Sequence, residues 1–188
     1  MILNDFNYSF TQPSSTALLG INGSGKSTML QLIAGFVLPT KGEITYYIED
    51  KKIEPDAMFH YVSYCAPYLE LIEEMTLEEF LHYHFSFKKP SIPISTMIDY
   101  IGLHHARTKL IGNFSSGMKQ RVKLAQAIFS ETPLLLLDEP CTNLDQSGID
   151  LYHRMMQEFG KNKLVIVASN DSNEYAICTD KIQVSDYK

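Results

Sequence analysis

The sequence lacks clustered positive charge, is poor in cysteine and contains no long apolar run. Its formal net charge is −6, and no run of Lys or Arg stands out along the 188 residues. This argues against a nucleic-acid or anionic-membrane surface, because both need clustered positive charge. No apolar run approaches the ~20 residues that cross a bilayer, so a role at a membrane would be peripheral. The first residues also lack the pattern of a signal peptide.

Cysteine use indicates a reducing compartment. The three cysteines, Cys65, Cys141 and Cys178, show neither CxxC nor Cys/His metal spacing. We therefore expect reduced thiols that act as small core residues. The hydrophobic share of 45% and the charged share of 20% are typical of a globular protein with a sizeable core. The length fits one domain, residues 1–188.

Apolar patterning predicts strands alternating with helices at both ends of the chain. Phe6, Tyr8 and Phe10 alternate with polar residues, as on a half-buried strand. A short apolar strand over 16–19 leads into a helix over 26–34. Further strands are predicted around 44–48 and 61–64, and over the fully apolar runs 134–137 and 164–168. This alternation predicts an α/β sheet covered by helices.

The sequence pattern predicts helices across the middle third of the chain. Thr76 and Glu79 have the spacing of a capping box at the start of a first helix. Ser95 is expected to cap a second helix that runs through Tyr100, and a third helix is expected from near Ser115 to about residue 130. One more helix is predicted over 147–159, between the two apolar strands.

A phosphate-binding loop follows the first apolar strand. The motif G-x-x-x-x-G-K-[ST] lies between that strand and a helix, which is the context it requires. Glycines let backbone amides approach phosphate, and the helix presents its positive end to the same group. Lys26 supplies charge to the β- and γ-phosphates, and Ser27 offers an oxygen to Mg²⁺. The predicted ATP phosphate-binding residues are Gly20, Ile21, Asn22, Gly23, Ser24, Gly25, Lys26, Ser27 and Thr28.

Two carboxylates follow the apolar strand 134–137. In an open parallel sheet the carboxyl ends of the strands line the ligand crevice. Asp138 there can hold Mg²⁺, directly or through water, and Glu139 can deprotonate the water that attacks the γ-phosphate. We therefore predict Glu139 as the catalytic base and Asp138, with Ser27, as a metal-binding residue.

These blocks together resemble the ATP-binding subunits of ABC transporters. Residues 20–28 match the Walker A motif, 134–139 match Walker B, and 142–145, with Asp145, match the D-loop. The segment 114–121 resembles the ABC signature, the most specific element of the family; its signature residues are Ser115, Ser116, Gly117 and Met118. The resemblance implies a P-loop NTPase core with a mainly parallel sheet, N-terminal antiparallel strands and an inserted helical lobe. The core would comprise about 1–65 and 131–188, and the lobe about 66–130.

The resemblance also implies a mechanism and partners. Two nucleotide-binding subunits, identical or different, sandwich two ATP molecules head to tail with Mg²⁺, each ATP lying between one phosphate loop and the other subunit's signature. The other implied partner is a transmembrane permease subunit, which the ATP-binding subunits drive. Nucleic acid is not expected as a partner. The implied location is cytoplasmic, peripheral on the inner face of the cell membrane. The permease would dock on about 68–110, where some of Tyr68, Phe80, Tyr83, Phe85 and Phe87 must be core.

The chain departs from the family pattern at three places. Asn170 stands where many relatives carry the switch histidine, and an amide hydrogen-bonds phosphate without positive charge. Pro67 stands at the Q-loop glutamine and has no side-chain acceptor, so Glu70 is a candidate substitute. The usual first strand with an adenine-stacking aromatic is missing; Tyr8 or Phe10 would take that role, although their alternation favours the core. Slow hydrolysis is therefore expected, and either the start of the chain is truncated or adenine is held loosely.

Two other functions stay open at this point. A soluble ABC protein acting on nucleic acid or translation usually carries two cassettes, coiled-coil insertions or a basic surface, none of which is seen here. A regulatory nucleotide-binding module with little turnover is favoured by Pro67 and Asn170 but not by Glu139, since such a module needs no general base.

Overall fold

The computed structural model describes residues 5–187. Within this range the strands are β1 Ser14–Leu19, β2 Tyr46–Ile48, β3 Lys51–Ile53, β4 Val62–Cys65, β5 Leu134–Asp138, β6 Leu164–Ala168 and β7 Asp180–Gln183. The α-helices are α1 Lys26–Ile33, α2 Leu77–His84, α3 Ile94–Tyr100, α4 Ser116–Ile128, α5 Gln146–Phe159 and α6 Ser172–Tyr175. Short 3₁₀ helices cover Pro55–His60, His104–Ala106, Ile111–Asn113 and Val184–Tyr187.

Five of the strands form one parallel sheet in the order β4-β5-β6-β1-β7. Strands β2 and β3 form a separate antiparallel pair in the first third of the chain. The predicted mainly parallel sheet with antiparallel strands towards the N-terminus is therefore confirmed. Because parallel neighbours share one direction, β4, β5 and β6 end at the same edge of the sheet. That edge carries the candidate site.

The continuous apolar run of β5 reflects burial on both faces of the sheet. Leu135 and Leu137 belong to one hydrophobic cluster, shared with α2, α3, α4 and α5. Leu134 and Leu136 belong to the opposite cluster, shared with α1. A strand covered on both sides needs no polar face, so its sequence shows no alternation. The sequence reading of 134–137 as a central parallel strand is confirmed.

In chain order, the helices α2, α3 and α4 of the middle third come between β4 and β5. The capping box at α2 is confirmed: the Thr76 amide donates to the Glu79 carboxylate at 2.9 Å, and the Glu79 amide donates to the Thr76 hydroxyl at 3.3 Å. The prediction that Ser95 caps α3 was wrong. The helix begins at Ile94 after Pro93, which makes no side-chain cap bond. Proline fixes φ at a helical value, so it starts the helix without a capping hydroxyl.

The predicted strand over residues 6–10 is not formed. These residues form no strand and pair with no neighbouring strand within the part of the chain that the structure describes. Phe6 and Phe10 pack against the α1-side cluster, whereas Tyr8 is 47% exposed. The alternation therefore reflects packing of two rings onto this cluster; Phe10 is partly buried as expected, whereas Tyr8 is not.

Segment 66–130 is joined to the sheet by a continuous core. Leu77 and Leu81 of α2 and Ile101 after α3 lie in the same cluster as Leu135 and Leu137 of β5. Burial of these side chains holds the segment against one face of the sheet. None of the helices in residues 5–187 has the length and apolar character to cross a membrane.

Candidate functional site

The phosphate loop folds as a tight turn between β1 and α1. Gly20 has φ +151°, and a Cβ built there would lie 2.7 Å from the Ser24 hydroxyl, closer than a side chain tolerates. Gly25, with φ +106°, occupies the N-cap of α1, a left-handed conformation that glycine adopts without strain. The loop thereby exposes the amino end of α1, as a phosphate cradle requires.

The ammonium group of Lys26 lies inside this loop. Its side chain is 5% exposed, and Nζ donates to the Gly20 carbonyl at 2.7 Å and to the Ile21 carbonyl at 3.4 Å. Two carbonyls hold the cation at the centre of the turn, where phosphate oxygens can replace them. The structure thus places Lys26 where the motif predicts it.

The carboxylate of Asp138 is buried at the end of β5. Asp138 is 3% exposed, and its Oδ2 has no hydrogen-bond partner among the described residues. Burial raises the pKa of this carboxyl, whereas the hydroxyls of Ser27 and Tyr68 and the charge of Lys26 lower it. An orphaned carboxylate oxygen beside a serine hydroxyl is a donor set that suits a hard cation. The residues present therefore fit Mg²⁺.

Mg²⁺ at such a site needs few protein ligands, because it keeps waters and takes phosphate oxygens. Consistent with this, no group of three or more His, Cys, Asp or Glu that could hold a metal is found in residues 5–187.

Glu139 has a strained backbone at the end of β5. Its φ is +43°, a conformation that L-residues other than Asn and Asp rarely adopt. The Glu139 amide donates to the Ala168 carbonyl of β6 at 2.9 Å, which fixes the turn. Strain of this kind persists where surrounding contacts hold it, and it concentrates at functional positions.

Asn22, Glu139 and Asn170 meet at one cavity of about 300 Å³, which lies between the phosphate loop and the ends of β5 and β6. Asn170 donates from Nδ2 to Asn22 Oδ1 at 3.0 Å, so the switch position contacts the phosphate loop directly. The remaining lining residues are Cys141, Thr142, Ser169, Asp171 and Glu174. Three positions that the sequence predicted separately are therefore neighbours.

The sequence reading missed Glu174. This carboxylate is 4% exposed, accepts from the Cys141 amide at 2.6 Å and accepts from the Ser169 hydroxyl. Burial raises the pKa of Glu174, and these two bonds oppose that shift. Glu174 thereby ties the turn after β5 to the turn after β6. No sequence signal marked it, because an acidic residue after the helix cap Asp171 resembles an ordinary solvated first turn.

The signature residues lie at the start of α4 and do not line this cavity. Ser115 caps α4 by accepting from the Met118 amide at 3.3 Å, and Ser115 and Ser116 are exposed. A Cβ at Gly117 would lie 3.1 Å from the Asn143 carbonyl, so the signature packs closely on the D-loop. The helix end is open to solvent and accessible to another molecule.

Asp145 of the D-loop caps α5. Its carboxylate accepts from the Gly148 amide at 2.9 Å and from the Ser147 hydroxyl at 2.7 Å. Those bonds lower the pKa of Asp145, with a smaller contribution from Arg121. Arg121 of α4 donates to Asp145 at 3.5 Å and to Ser147 of α5 at 2.8 Å, so the signature helix and the D-loop are joined by side chains as well.

Of the three cysteines expected in the core, Cys65 and Cys141 are buried. Cys65 ends β4 and Cys141 follows β5, and burial raises the pKa of the Cys65 thiol to about 12. Thiols held protonated in this way act as packing groups. Cys178 is partly buried.

Comparison with known proteins identifies the family. A family model described as ABC transporter matches residues 3–142. The ATP-binding protein YxlF of Bacillus subtilis is 33% identical over 97% of this chain and 62% of its own length. The ATP-binding protein YybJ of the same organism is 30% identical over 92% of this chain and 80% of its own.

Solved structures show the same fold. A structure of an ATP-binding subunit of an ABC transporter matches 98% of this chain and 80% of its own, with a TM-score of 0.83 and 25% identity. The dimeric cassette MJ0796 bound to ADP and phosphate matches 98% of this chain and 87% of its own, with a TM-score of 0.80 and 20% identity. The chain spans less than two thirds of YxlF. It belongs to the family of ABC transporter ATP-binding proteins.

Proposed function

We propose that this chain binds and hydrolyses ATP to drive transport by an ABC transporter. The observation that carries the proposal is the cavity where Asn22, Glu139 and Asn170 meet, next in sequence to Asp138, whose Oδ2 has no hydrogen-bond partner within residues 5–187. A phosphate cradle, a buried carboxylate and a strained glutamate at one sheet edge suit attack of water on a phosphoanhydride.

Each residue of the site has a proposed role. Residues 20–28 hold the phosphates, with Lys26 exchanging its loop carbonyls for phosphate oxygens. Ser27 and Asp138 hold Mg²⁺, which neutralises phosphate charge when bound. Glu139 takes the proton of the attacking water, and Asn170 donates to the γ-phosphate. Because an amide brings no positive charge, turnover is expected to be slow relative to a histidine-bearing relative.

A second nucleotide-binding subunit would complete the site. The exposed start of α4, with Ser115 and Ser116 outermost, suits the phosphates of an ATP held by another copy or by a related chain. Met118 and Gly117 belong to the same turn, and Asp145 stands next to it through Arg121. MJ0796, which shares the fold, forms a dimer with ADP and phosphate.

A transmembrane permease would dock on the surface of segment 66–130. Tyr68, Tyr83 and Phe87 are 52%, 47% and 67% exposed, whereas Phe80 is 5% exposed and Phe85 packs on the core. The aromatic residues thus divide into core and surface, and the surface set forms the proposed patch. The chain would then lie on the inner face of the cell membrane, with 66–130 as a lobe inserted into a core of about 1–65 and 131–188.

ATP binding and hydrolysis by the purified protein test the proposal. We expect Lys26→Ala to weaken ATP binding at least about a hundredfold, because charge-assisted bonds to phosphate are lost. Lys161→Ala, which changes an exposed lysine, should bind ATP normally. Equal ATP affinity in both variants would overturn the proposed site. Binding without hydrolysis would favour the regulatory module, and co-purification with nucleic acid in place of a membrane protein would favour the soluble class.

A further inference from the structure

A glutamine of the signature helix is buried beside the turn that carries Glu139. Gln120 lies in the second turn of α4 and is 2% exposed, although glutamine is usually found at protein surfaces. Its amide nitrogen Nε2 donates to the Pro140 carbonyl at 2.7 Å. Because a carbonyl only accepts, the nitrogen of the amide must face Pro140. This bond joins α4 to the residue that directly follows Glu139.

The same amide nitrogen also contacts the end of strand β4. Nε2 of Gln120 lies 3.9 Å from Cys65 Sγ, a contact that fits a weak N–H···S hydrogen bond. Cys65 pairs with Leu137 in the parallel register of β4 and β5, and Leu137 directly precedes Asp138. The two N–H groups of the amide therefore have acceptors at the ends of both strands, which holds the side chain in one orientation.

The turn that contains Glu139 is anchored from two sides. On the β6 side, the Glu139 amide donates to the backbone of β6 at 2.9 Å, and the Cys141 amide donates to the Glu174 carboxylate at 2.6 Å. On the α4 side, the Pro140 carbonyl accepts from Gln120. Proline has no amide proton, so its carbonyl is the backbone group through which Pro140 can be held. Gln120 is therefore the contact by which α4 fixes this turn.

Glu139 needs such anchors because its backbone is strained. Its φ of +43° is costly for an L-residue and persists only where surrounding contacts hold it. When the Pro140 carbonyl is released, the turn can relax, and the Glu139 carboxylate moves with it. A displacement of about 1 Å at a reacting group can lower a rate by about a hundredfold. Since residues 20–28 hold the phosphates, release of this turn should affect hydrolysis rather than ATP binding.

We propose that Gln120 is a positioning residue for Glu139, which it holds in place through the Pro140 carbonyl. The inference rests on the proposed function and adds a residue to the same site. It differs from two simpler roles of the buried amide. A purely structural role would lower stability without lowering kcat in the folded protein. A role in shaping the signature, which lies one helical turn before Gln120, would lower the rate whether or not Glu139 is present.

A double-mutant cycle with Glu139 separates these roles. Gln120→Met keeps the length of the side chain but removes the donor to Pro140. We expect it to lower kcat about tenfold, with KM changed by less than about twofold. In the chain that carries Glu139→Gln, single-turnover hydrolysis of bound ATP should slow by less than about twofold when Gln120→Met is added. The reason is that no general base is left to position.

A matched control distinguishes lost positioning from lost stability. Ser63→Ala removes the buried hydrogen bond of 2.7 Å between Ser63 and Thr132, which lies at the opposite end of β5 from Glu139. Like Gln120→Met, it should lower the melting temperature. At a temperature where both variants are folded, Ser63→Ala should keep the kcat of the parent chain.

A shorter amide gives a second variant at the same position. Gln120→Asn keeps the donor but draws it back from Pro140, so kcat should fall between the values of the parent chain and Gln120→Met. The same cycle with Glu139→Gln applies to it, and it replaces Gln120→Met in the comparison if that variant does not fold.

The outcomes distinguish the two proposals. An unchanged kcat in the Gln120 variants would overturn the positioning role and leave the proposed function intact. The same conclusion would follow from an equal slowing in the presence and absence of Glu139, or from a loss of kcat that Ser63→Ala reproduces. If the parent chain neither binds nor hydrolyses ATP, both proposals are overturned.

Discussion

Strand β5 differs from the two strands that flank it at the site edge. β5 ends in Asp138 and Glu139, which match a known motif, whereas β4 leads to Pro67 and Tyr68 and β6 leads to Asn170. The motif residues are set by the backbone: a buried strand end and a left-handed turn at Glu139. The flanking residues are set by side-chain bonds, between Tyr68 and Tyr64 and between Asn170 and Asn22.

This difference teaches where substitution is tolerated. A backbone-held carboxylate leaves little choice of residue type, because both its position and its charge are needed. A hydrogen bond to phosphate or to a metal ligand can be made by several side chains from slightly different places. The departures from the family pattern fall on the second kind of position.

The largest effect is expected from replacing Glu139, the residue that follows β5. Glu139→Gln should lower kcat about a thousandfold, because general-base catalysis is lost, while ATP binding is retained. Steady-state ATPase assays and equilibrium nucleotide binding measure the two quantities. Glu70→Gln provides the matched control and should leave kcat unchanged, since Glu70 lies outside the cavity. A comparable loss in both variants would remove the distinction between β5 and the loop after β4.

The second largest effect is expected from breaking the link that Glu174 makes between the turns after β5 and β6. Glu174→Ala should lower the free energy of unfolding by about 3 kcal/mol, because it leaves the buried Cys141 amide and the Ser169 hydroxyl without their acceptor. Glu174→Gln keeps one acceptor oxygen and should cost less than half as much. Urea unfolding measures both. Equal losses would show that the charge of Glu174, rather than its hydrogen bonds, holds the two turns.

The β4 side should show a dependence on pH through His84 of α2. Burial lowers the pKa of His84 to about 4, from an ordinary value of 6.5. An unfolded chain therefore binds a proton that the folded chain rejects, and stability falls as pH drops from 6.5 towards 4. Between about pH 7 and about pH 5 this loss should amount to about 2 kcal/mol.

Replacing His84 should remove that loss. In His84→Gln, the difference in unfolding free energy between the two pH values should shrink by about 2 kcal/mol relative to the parent chain. His82→Gln, on the same helix but exposed, should retain the full difference. If the His84 variant keeps it too, burial of this ring against β4 does not control the acid stability of the segment.

The smallest expected effect concerns β6. Asn170→His should raise kcat about tenfold, since a protonated imidazole donates a charge-assisted bond to the γ-phosphate. Asn170→Ala should lower kcat, because the donor is removed. Steady-state kinetics of the assembled dimer measure kcat for each variant. A histidine variant no faster than the parent chain would show that the missing charge at position 170 does not limit kcat.

The fold was largely predictable because its signals are local. The parallel strands β5 and β6 were identified from apolar runs, and α2 and α4 from their capping residues. The strand predicted over residues 6–10 was wrong because alternation also arises where two rings pack onto a hydrophobic cluster without strand pairing. The cap predicted at Ser95 was wrong because α3 begins after Pro93, without a hydroxyl cap.

By itself, the sequence determined the phosphate loop, the acidic pair and the family, because these depend on residue types at fixed spacing along one strand and one turn. Only the tertiary structure decided what stands beside them. Asn170 bonds to Asn22, and Glu174 joins two turns, through contacts between residues 148 and 33 positions apart in the chain respectively. Spacing along the chain carries no information about such contacts, since parallel strands bring distant segments to one edge.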